Sequence, residues 1–558
     1  MKTTLRWQFL LAFLSLGLVL ALLTYQVQTA SFCTITVPAA GGTLTEGVVG
    51  TPRYLNPLLS DANPVDRDLT SLIFDGLTRY NEAGQLEPAL AESWQVGEDG
   101  RSLRFILRDG LTWHDGQPVT AQDVAFTYGL MQDAAFPGPA ALHQLWQAVT
   151  ITVLDERTIE FILAEPYAPF LEATTRGILP AHYWQGETAV SLLNSRQNQN
   201  PIGTGPFAVA PNQDWPTSRR LQVTPHPDHW FQGTQLTNLE FRFYPDEESL
   251  LQAFTNGEIY AINNITPSLL PQVAALPDIR LFTAPTDRYT ALFFNIAAGG
   301  SPIWQPIEMR QALAYGLDRE QLIDETLSGQ AVLLDGPYLP TAWSYNPNLL
   351  TPYPADTITA TKLLEAHGWT QPEGATIRQN ADNSLALRLL ALDTPTQRLL
   401  AEAIGQQWAA LGVGVEVTMA ADLLQLRQQL ADRQFDVALV DVRPPRDPDL
   451  YDFWSQEAII RGQNFAGWNN RRASEALEQG RQTWGQVNRR PFYDTFLRLY
   501  DTDLPALTLF QHVYVYGLSD GVNEAEIGRI NHPRDRYKTM ANWFLLYRDV
   551  TVSCPEDE

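Results

Sequence analysis

Residues Asp99 to Tyr128 read DGRSLRFILRDGLTWHDGQPVTAQDVAFTY, and these thirty positions decide the fold. Asp99-Gly100 is a tight-turn dipeptide. Leu103, Phe105 and Leu107 alternate with Arg104 and Arg108, the period of a half-buried strand. Asp115-Gly116 turns the chain again, and Thr120 then caps a helix with Asp123 in the reciprocal position of a capping box. Turn, strand, turn and capped helix are architecture, and none of them is a chemistry.

As a string, the stretch closely resembles the extracellular solute-binding proteins of the peptide/nickel family, which feed ABC importers. There the pattern runs as a DG turn, an F-x-L-R strand, a W/F-H/S-D-G turn and P-V-T-A-x-D-V. Further landmarks of that family stand here as Phe74-Asp75-Gly76-Leu77, Pro88 to Trp94, Pro201-Ile-Gly-Thr-Gly-Pro206-Phe207, and Phe294-Asn295 leading to Met309 through Ile323. The similarity covers roughly residues 42 to 550. It implies an α/β, two-lobed periplasmic-binding-protein-like fold (type II, the large peptide-binding cluster) with an extra subdomain inserted in lobe I. Carried over, lobe I is discontinuous, 42–283 plus 506–552, with the subdomain at about 76–175 inside it, and lobe II is 284–505.

The rest of the chain agrees with that class. With 558 residues the chain exceeds what one hydrophobic core usually holds, so two or more lobes are expected. From about Tyr289 onward helices and apolar strands alternate. Leu399, Leu400, Ala403, Ile404, Trp408 and Leu411 repeat at helical spacing and stop at Gly412, and Phe435 to Val442 is a nearly continuous apolar strand. Acidic residues number 63 against 38 basic, a net charge of -25, which repels phosphate backbones and anionic lipid, so no nucleic-acid partner is expected.

Residues 1–30 carry Lys2 and Arg6 before an apolar run from Phe9 to Leu23, the pattern of a signal peptide or an N-terminal membrane anchor. Either places the protein outside the cytoplasm, at the outer face of the membrane or in the periplasm. Many relatives are lipoproteins, but Phe32 before Cys33 breaks the small-residue box that lipidation needs. Cys33 and Cys554 are the two cysteines, and two readings stay open for them. They are unrelated free thiols, or they form a disulfide joining the tails, which the oxidising compartment favours. The resemblance adds that the first and last segments belong to one lobe.

Catalytic and metal motifs are weak throughout. His114-Asp115 and the His226/His229 pair of HPDHW read as turns, and no H-E-x-x-H, G-x-S-x-G or P-loop occurs. No cofactor is expected. A cleft for peptides or sugars needs flat apolar surfaces and a few polar groups. The candidates are Tyr54 and Asn56 in the first-lobe loop, Tyr289, Phe294 and Asn295 near the first crossover, and Trp454, Asn464 and Trp468 in the second lobe.

The family pattern breaks at Val440 to Leu450, VDVRPPRDPDL. Dipeptide-binding relatives carry G-W-x-x-D-x-x-D-P there, and the first of those aspartates pairs with the ligand's amino group. Aligning Asp447-Pro448 with D-P puts Pro444 at that aspartate and Asp441 at the tryptophan. One reading is a shifted loop, with Asp441 or Asp447 taking the role. The other is a receptor that needs no cationic amine, with Arg443 and Arg446 favouring an anionic ligand. Overall the resemblance implies a monomeric, non-enzymatic solute-binding receptor that hands short peptides to an ABC permease. The alternatives are an exported glycosidase, suggested by the acidic, Trp-rich composition, and a sensory receptor on the same fold.

Overall fold

The computed structural model describes residue 7, residues 12–22, and residues 32–553 apart from 82–83, 212, 228, 230–234, 382, 528–529 and 531–532. The quoted stretch forms the elements its pattern predicts. Ala91–Val96 and Ser102–Leu107 pair antiparallel, and Thr158–Ile162 and Thr150–Val153 extend them into a four-stranded sheet. Leu103, Phe105 and Leu107 are fully buried, whereas Arg104 is exposed. The Asp99 carboxylate closes the turn by accepting the Arg101 and Ser102 backbone N–H groups. Helix Ala121–Gln132 follows. Asp123 accepts the Thr120 backbone N–H at 2.8 Å and the Ala181 N–H at 2.8 Å, so one carboxylate caps the helix and fastens a distant segment to it. Beneath the sheet Tyr128 stacks on Trp146 at 3.9 Å, with Phe161 edge-on to both.

The main sheet has eleven strands. At its centre two long antiparallel strands, Ile279–Phe294 and Ala506–Ser519, lie side by side. Ala261–Ile262, Thr43–Val49, Asn238–Tyr244, Arg220–Pro225 and Phe207–Val209 continue the sheet on one side. Val437–Val442, Ala386–Leu392 and Gly414–Ala420 continue it on the other. On this second side, successive residues of Ile279–Phe294 feed opposite faces, as the period of two requires. Leu292 and Phe294 join helices Ile307–Tyr315, Arg319–Leu327 and Pro395–Ala410 in one core. Tyr289, Ala291 and Phe293 join Arg471–Gln482 and Gln486–Asp503 in the other. On the first side, a core running from Leu44 to Trp543 also takes in the four-stranded subdomain. The result is a two-lobed α/β fold whose lobes share one sheet.

The pairing of the two central strands slips between Pro285 and Tyr289. Such bulges bend a strand and re-aim its side chains. The displaced residues are Thr286, Asp287 and Arg288, and Asp287 turns toward the space between the lobes.

At the ends, Phe32–Ala39 pairs with Leu546–Ser553 in continuous antiparallel register, with Cys33 opposite Val552. Cys33 is not a free thiol. Cys554 lies outside the described residues. Most of the expected leader, residues 1–30, also lies outside them. Residues 12–22 are helical with exposed side chains, and among the described residues no helix is long and apolar enough to cross a membrane.

Candidate functional site

A cavity of about 1420 Å³ opens between the lobes. One wall is the 57–61 loop, helix Pro64–Ile73 through Arg67, Thr70 and Ser71, and the segment from Phe74 to Asn81. Subdomain residues between Ala141 and Gly177 form the second wall. The third comes from the other lobe, as residues 443–447, Asp449, Asp452, Phe453, Gln463 and Arg481, and residues 534–540 close the floor. The volume lies above that of most small-molecule pockets and suits a solute of several residues or a comparable size.

The lobes grip each other around this space. Glu172, in the short helix Phe170–Ala173, accepts the backbone N–H groups of Arg446 at 3.1 Å and Asp447 at 2.9 Å. Ala168 donates its N–H to the Arg481 carbonyl at 2.8 Å, and the Trp484 indole N–H donates to the Gly100 carbonyl at 2.8 Å. The Asp99-Gly100 turn that opens the defining stretch is therefore held from across the cleft. Burial pushes the Glu172 carboxyl up to about 7, against the two amide hydrogen bonds that favour its anion.

Most cleft charges are paired. Arg176 holds Asp61 at 2.9 Å, Arg446 holds Asp535 at 2.8 Å and lies 4.6 Å over the Tyr80 ring, and Arg481 holds Asp449 at 2.6 Å. Asp447 receives a fork from Arg489, with both contacts at 2.6 Å. The lining carries eight arginines and lysines against ten carboxylates, a far more even balance than the acidic chain as a whole.

Of the eleven ligand candidates from sequence, Arg443 and Asp447 line the cavity. The other nine do not. Tyr289, Phe294, Trp454 and Trp468 are buried in the cores of the second lobe, where Trp454 stacks on Phe293 at 5.3 Å and the Trp468 indole donates to Asp503. Asn295 donates to the Phe435 carbonyl, and Asn464 exchanges hydrogen bonds with the Trp468 backbone. Asn56 bonds Asn198, and Tyr54 packs on the first-lobe core while its backbone N–H donates to Asp66. Asp441 accepts from Thr290 and His512 on the sheet and from Gln397 of helix Pro395–Ala410. Arg446 and Pro444, singled out where the family pattern breaks, both line the cavity.

Arg67, Glu172 and Asp287 are among the cleft residues that sequence reasoning missed. For Asp287 a signal existed: Pro285-Thr286-Asp287-Arg288 is a polar interruption in an otherwise apolar strand, which marks a bulge. The histidines take the turn roles expected of them. Gly203 N–H donates to His114 Nδ1 at 3.1 Å, which fixes the proton on Nε2 for the Gly205 carbonyl at 3.0 Å. Burial lowers the His114 pKa to about 4. His229 Nε2 lies 3.1 Å from Asp75, and among the described residues no group of three or more candidate ligands could hold a metal.

The profile of the bacterial extracellular solute-binding proteins, family 5 (middle), matches residues 85–458. The dipeptide-binding protein of Escherichia coli K12 is 24% identical over 489 residues, covering 82% of this chain and 87% of that protein. The oligopeptide-binding protein AppA of Bacillus subtilis, solved with a nonapeptide, superposes with a TM-score of 0.70 at 20% identity, covering 91% of this chain and all of the other. The substrate-binding protein CtaP of Listeria monocytogenes superposes at 0.77 with 24% identity, covering 91% of this chain and 99% of the other.

Proposed function

The chain belongs to the family 5 bacterial extracellular solute-binding proteins, and from that premise we propose that it captures short peptides, or a similar small solute, for an ABC importer. The observation that carries the reading is the cavity of about 1420 Å³ bounded by both lobes and clasped by Glu172 across it. Ligand enters an open cleft, and closure buries it and presents the closed face to a membrane permease. Affinity then comes from hydrogen bonds and apolar packing in the cleft, with no chemical step. The lobes divide within the two long central strands, near residue 284 and, because Ala284 faces Tyr514 while Ala506 to Phe510 pack in the second lobe's cores, several residues beyond the 505 that the resemblance implied. The subdomain of about 76–175 acts as the jaw of lobe I. The receptor works as a monomer at the outer face of the membrane, held there or released according to the fate of residues 1–30. A Cys33–Cys554 bond locks the paired terminal strands.

The alternative of an exported glycosidase requires two carboxylates free to flank a glycosidic bond. Asp447 and Asp449, the cleft carboxylates of the second lobe's 443–450 loop, are each bound by an arginine, which favours the receptor. The test is a thermal-shift screen of the exported chain with di- to pentapeptides, the same samples then being analysed for turnover. A rise in Tm with intact peptide supports the reading. Conversion to product overturns it in favour of an enzyme, and no shift with any peptide removes peptides as the solute.

A further inference from the structure

Arg67 stands apart from the paired arginines of the cleft. Among the described residues no carboxylate lies within 4 Å of its guanidinium, which donates one hydrogen bond, to the Asp61 carbonyl. Its Nε is buried with no acceptor. Burial lowers its pKa, and the charge of Arg443 on the facing lobe lowers it further. Asp287, on the bulge, shows the complementary deficit. Its Oδ1 is buried without a donor, and Arg443 Nε stands 3.3 Å away without the alignment of a hydrogen bond. All three side chains line the same cavity. Asp61 and Asp68, beside Arg67, are engaged by Arg176 and Arg536, so within the cavity the two guanidinium groups share the single carboxylate of Asp287 in a partly desolvated place, an arrangement that an incoming anion would relieve. Two cleft carboxylates of the facing loop that could take a ligand ammonium are, by contrast, committed: Asp447 to Arg489 and Asp449 to Arg481.

Resting on the receptor reading above, we propose that Arg67 and Arg443 receive a carboxylate of the solute between the lobes. Asp287 Oδ1 accepts an N–H or O–H beside that carboxylate. A planar guanidinium binds a carboxylate in a fork, and the adjacent donor is what the last residue of a peptide supplies. Arg67 belongs to one wall and Arg443 to the other, so the anion also cancels a repulsion that otherwise opposes closure. The solute class is therefore one with a free carboxylate next to a hydrogen-bond donor.

The test uses calorimetry on the full exported chain with Ala-Ala-Ala as the free acid, the same tripeptide as its C-terminal amide, and citrate. The acid is expected to bind at least about ten-fold more tightly than the amide, and Arg67→Gln and Arg443→Gln each to abolish the preference by weakening the acid more than the amide. Equal binding of acid and amide overturns the proposal and leaves the receptor reading standing, as does a preference that survives in both variants. If neither tripeptide binds, citrate decides. Citrate binding that is lost in Arg443→Gln, an exposed position unlike Arg67, supports the anion site while the peptide reading fails. Absence of citrate binding as well overturns the proposal.

Discussion

Replacing Glu172 with glutamine or with alanine separates its charge from its hydrogen bonds and tests what holds the lobes together. In the closed form the carboxylate accepts two backbone N–H groups from the facing loop, yet burial lifts its pKa from 4.5 to about 7. A carboxyl whose closed-state pKa is raised contributes stability that is fully present below pH 4.5 and is lost as pH rises through 7. The shift corresponds to roughly 3 kcal/mol, or about two decades in the closing equilibrium once the carboxyl is fully ionised. Hydrogen exchange at the Arg446 and Asp447 amides reads that equilibrium directly, provided rates are expressed as protection relative to the unstructured chain. Between pH 5 and pH 8 wild-type protection should fall by roughly 50- to 100-fold. Glu172→Gln keeps an acceptor and has no charge to desolvate, so its protection should lose the part of the pH dependence that Glu172 contributes. Glu172→Ala strands both amides and should lose about 1–3 kcal/mol per group at every pH. Asp66, pushed up by burial to about 6, titrates in the same window, so the difference between wild type and Glu172→Gln is the quantity to read. Equal pH slopes in those two proteins would refute the reasoning.

Three further outcomes follow from the packing. Arg489→Met leaves the Asp447 carboxylate buried without its fork and should cost about 3–5 kcal/mol in denaturant unfolding, with Asp447→Asn in the same background recovering part of it; an unchanged midpoint would show the pair to be dispensable. Gly203→Ala places a Cβ 1.8 Å from the Ile73 carbonyl oxygen, so the landmark loop must move and Tm should drop by an amount matching about 1–3 kcal/mol; normal melting would contradict the close approach. Non-reducing peptide mapping of the exported chain should recover a peptide joining Cys33 to Cys554, and finding both thiols free would remove the proposed lock.

What the sequence made legible was local. The alternation of Leu103, Phe105 and Leu107, the Thr120–Asp123 cap and the turn at Asp99 are each determined within a few residues, and each stands where its pattern predicts. The cleft was legible only in part, at Arg443 and Asp447, because its walls are assembled from segments around residues 67, 172, 287 and 443 that are hundreds of positions apart. Trp454 and Trp468 illustrate the difficulty. A large aromatic is equally suited to a ligand platform and to a core, and helices Arg471–Gln482 and Gln486–Asp503 packing over the sheet decide for the core. Conversely Arg67, in an acidic helix start among Asp61, Asp66 and Asp68, looks paired in sequence. Asp61 and Asp68 are instead taken by Arg176 and Arg536, and Asp66 by the backbone of Arg53 and Tyr54.

On the proposed reading, the space between the lobes holds a small solute. Native mass spectrometry of the exported chain, purified from its own cells and compared with the same protein after denaturation and refolding, tests it most directly. The expected result is one bound small molecule bearing a carboxylate per chain, lost on unfolding and released unaltered. Purified protein of bare-chain mass that binds no solute from the same cells after refolding would contradict it.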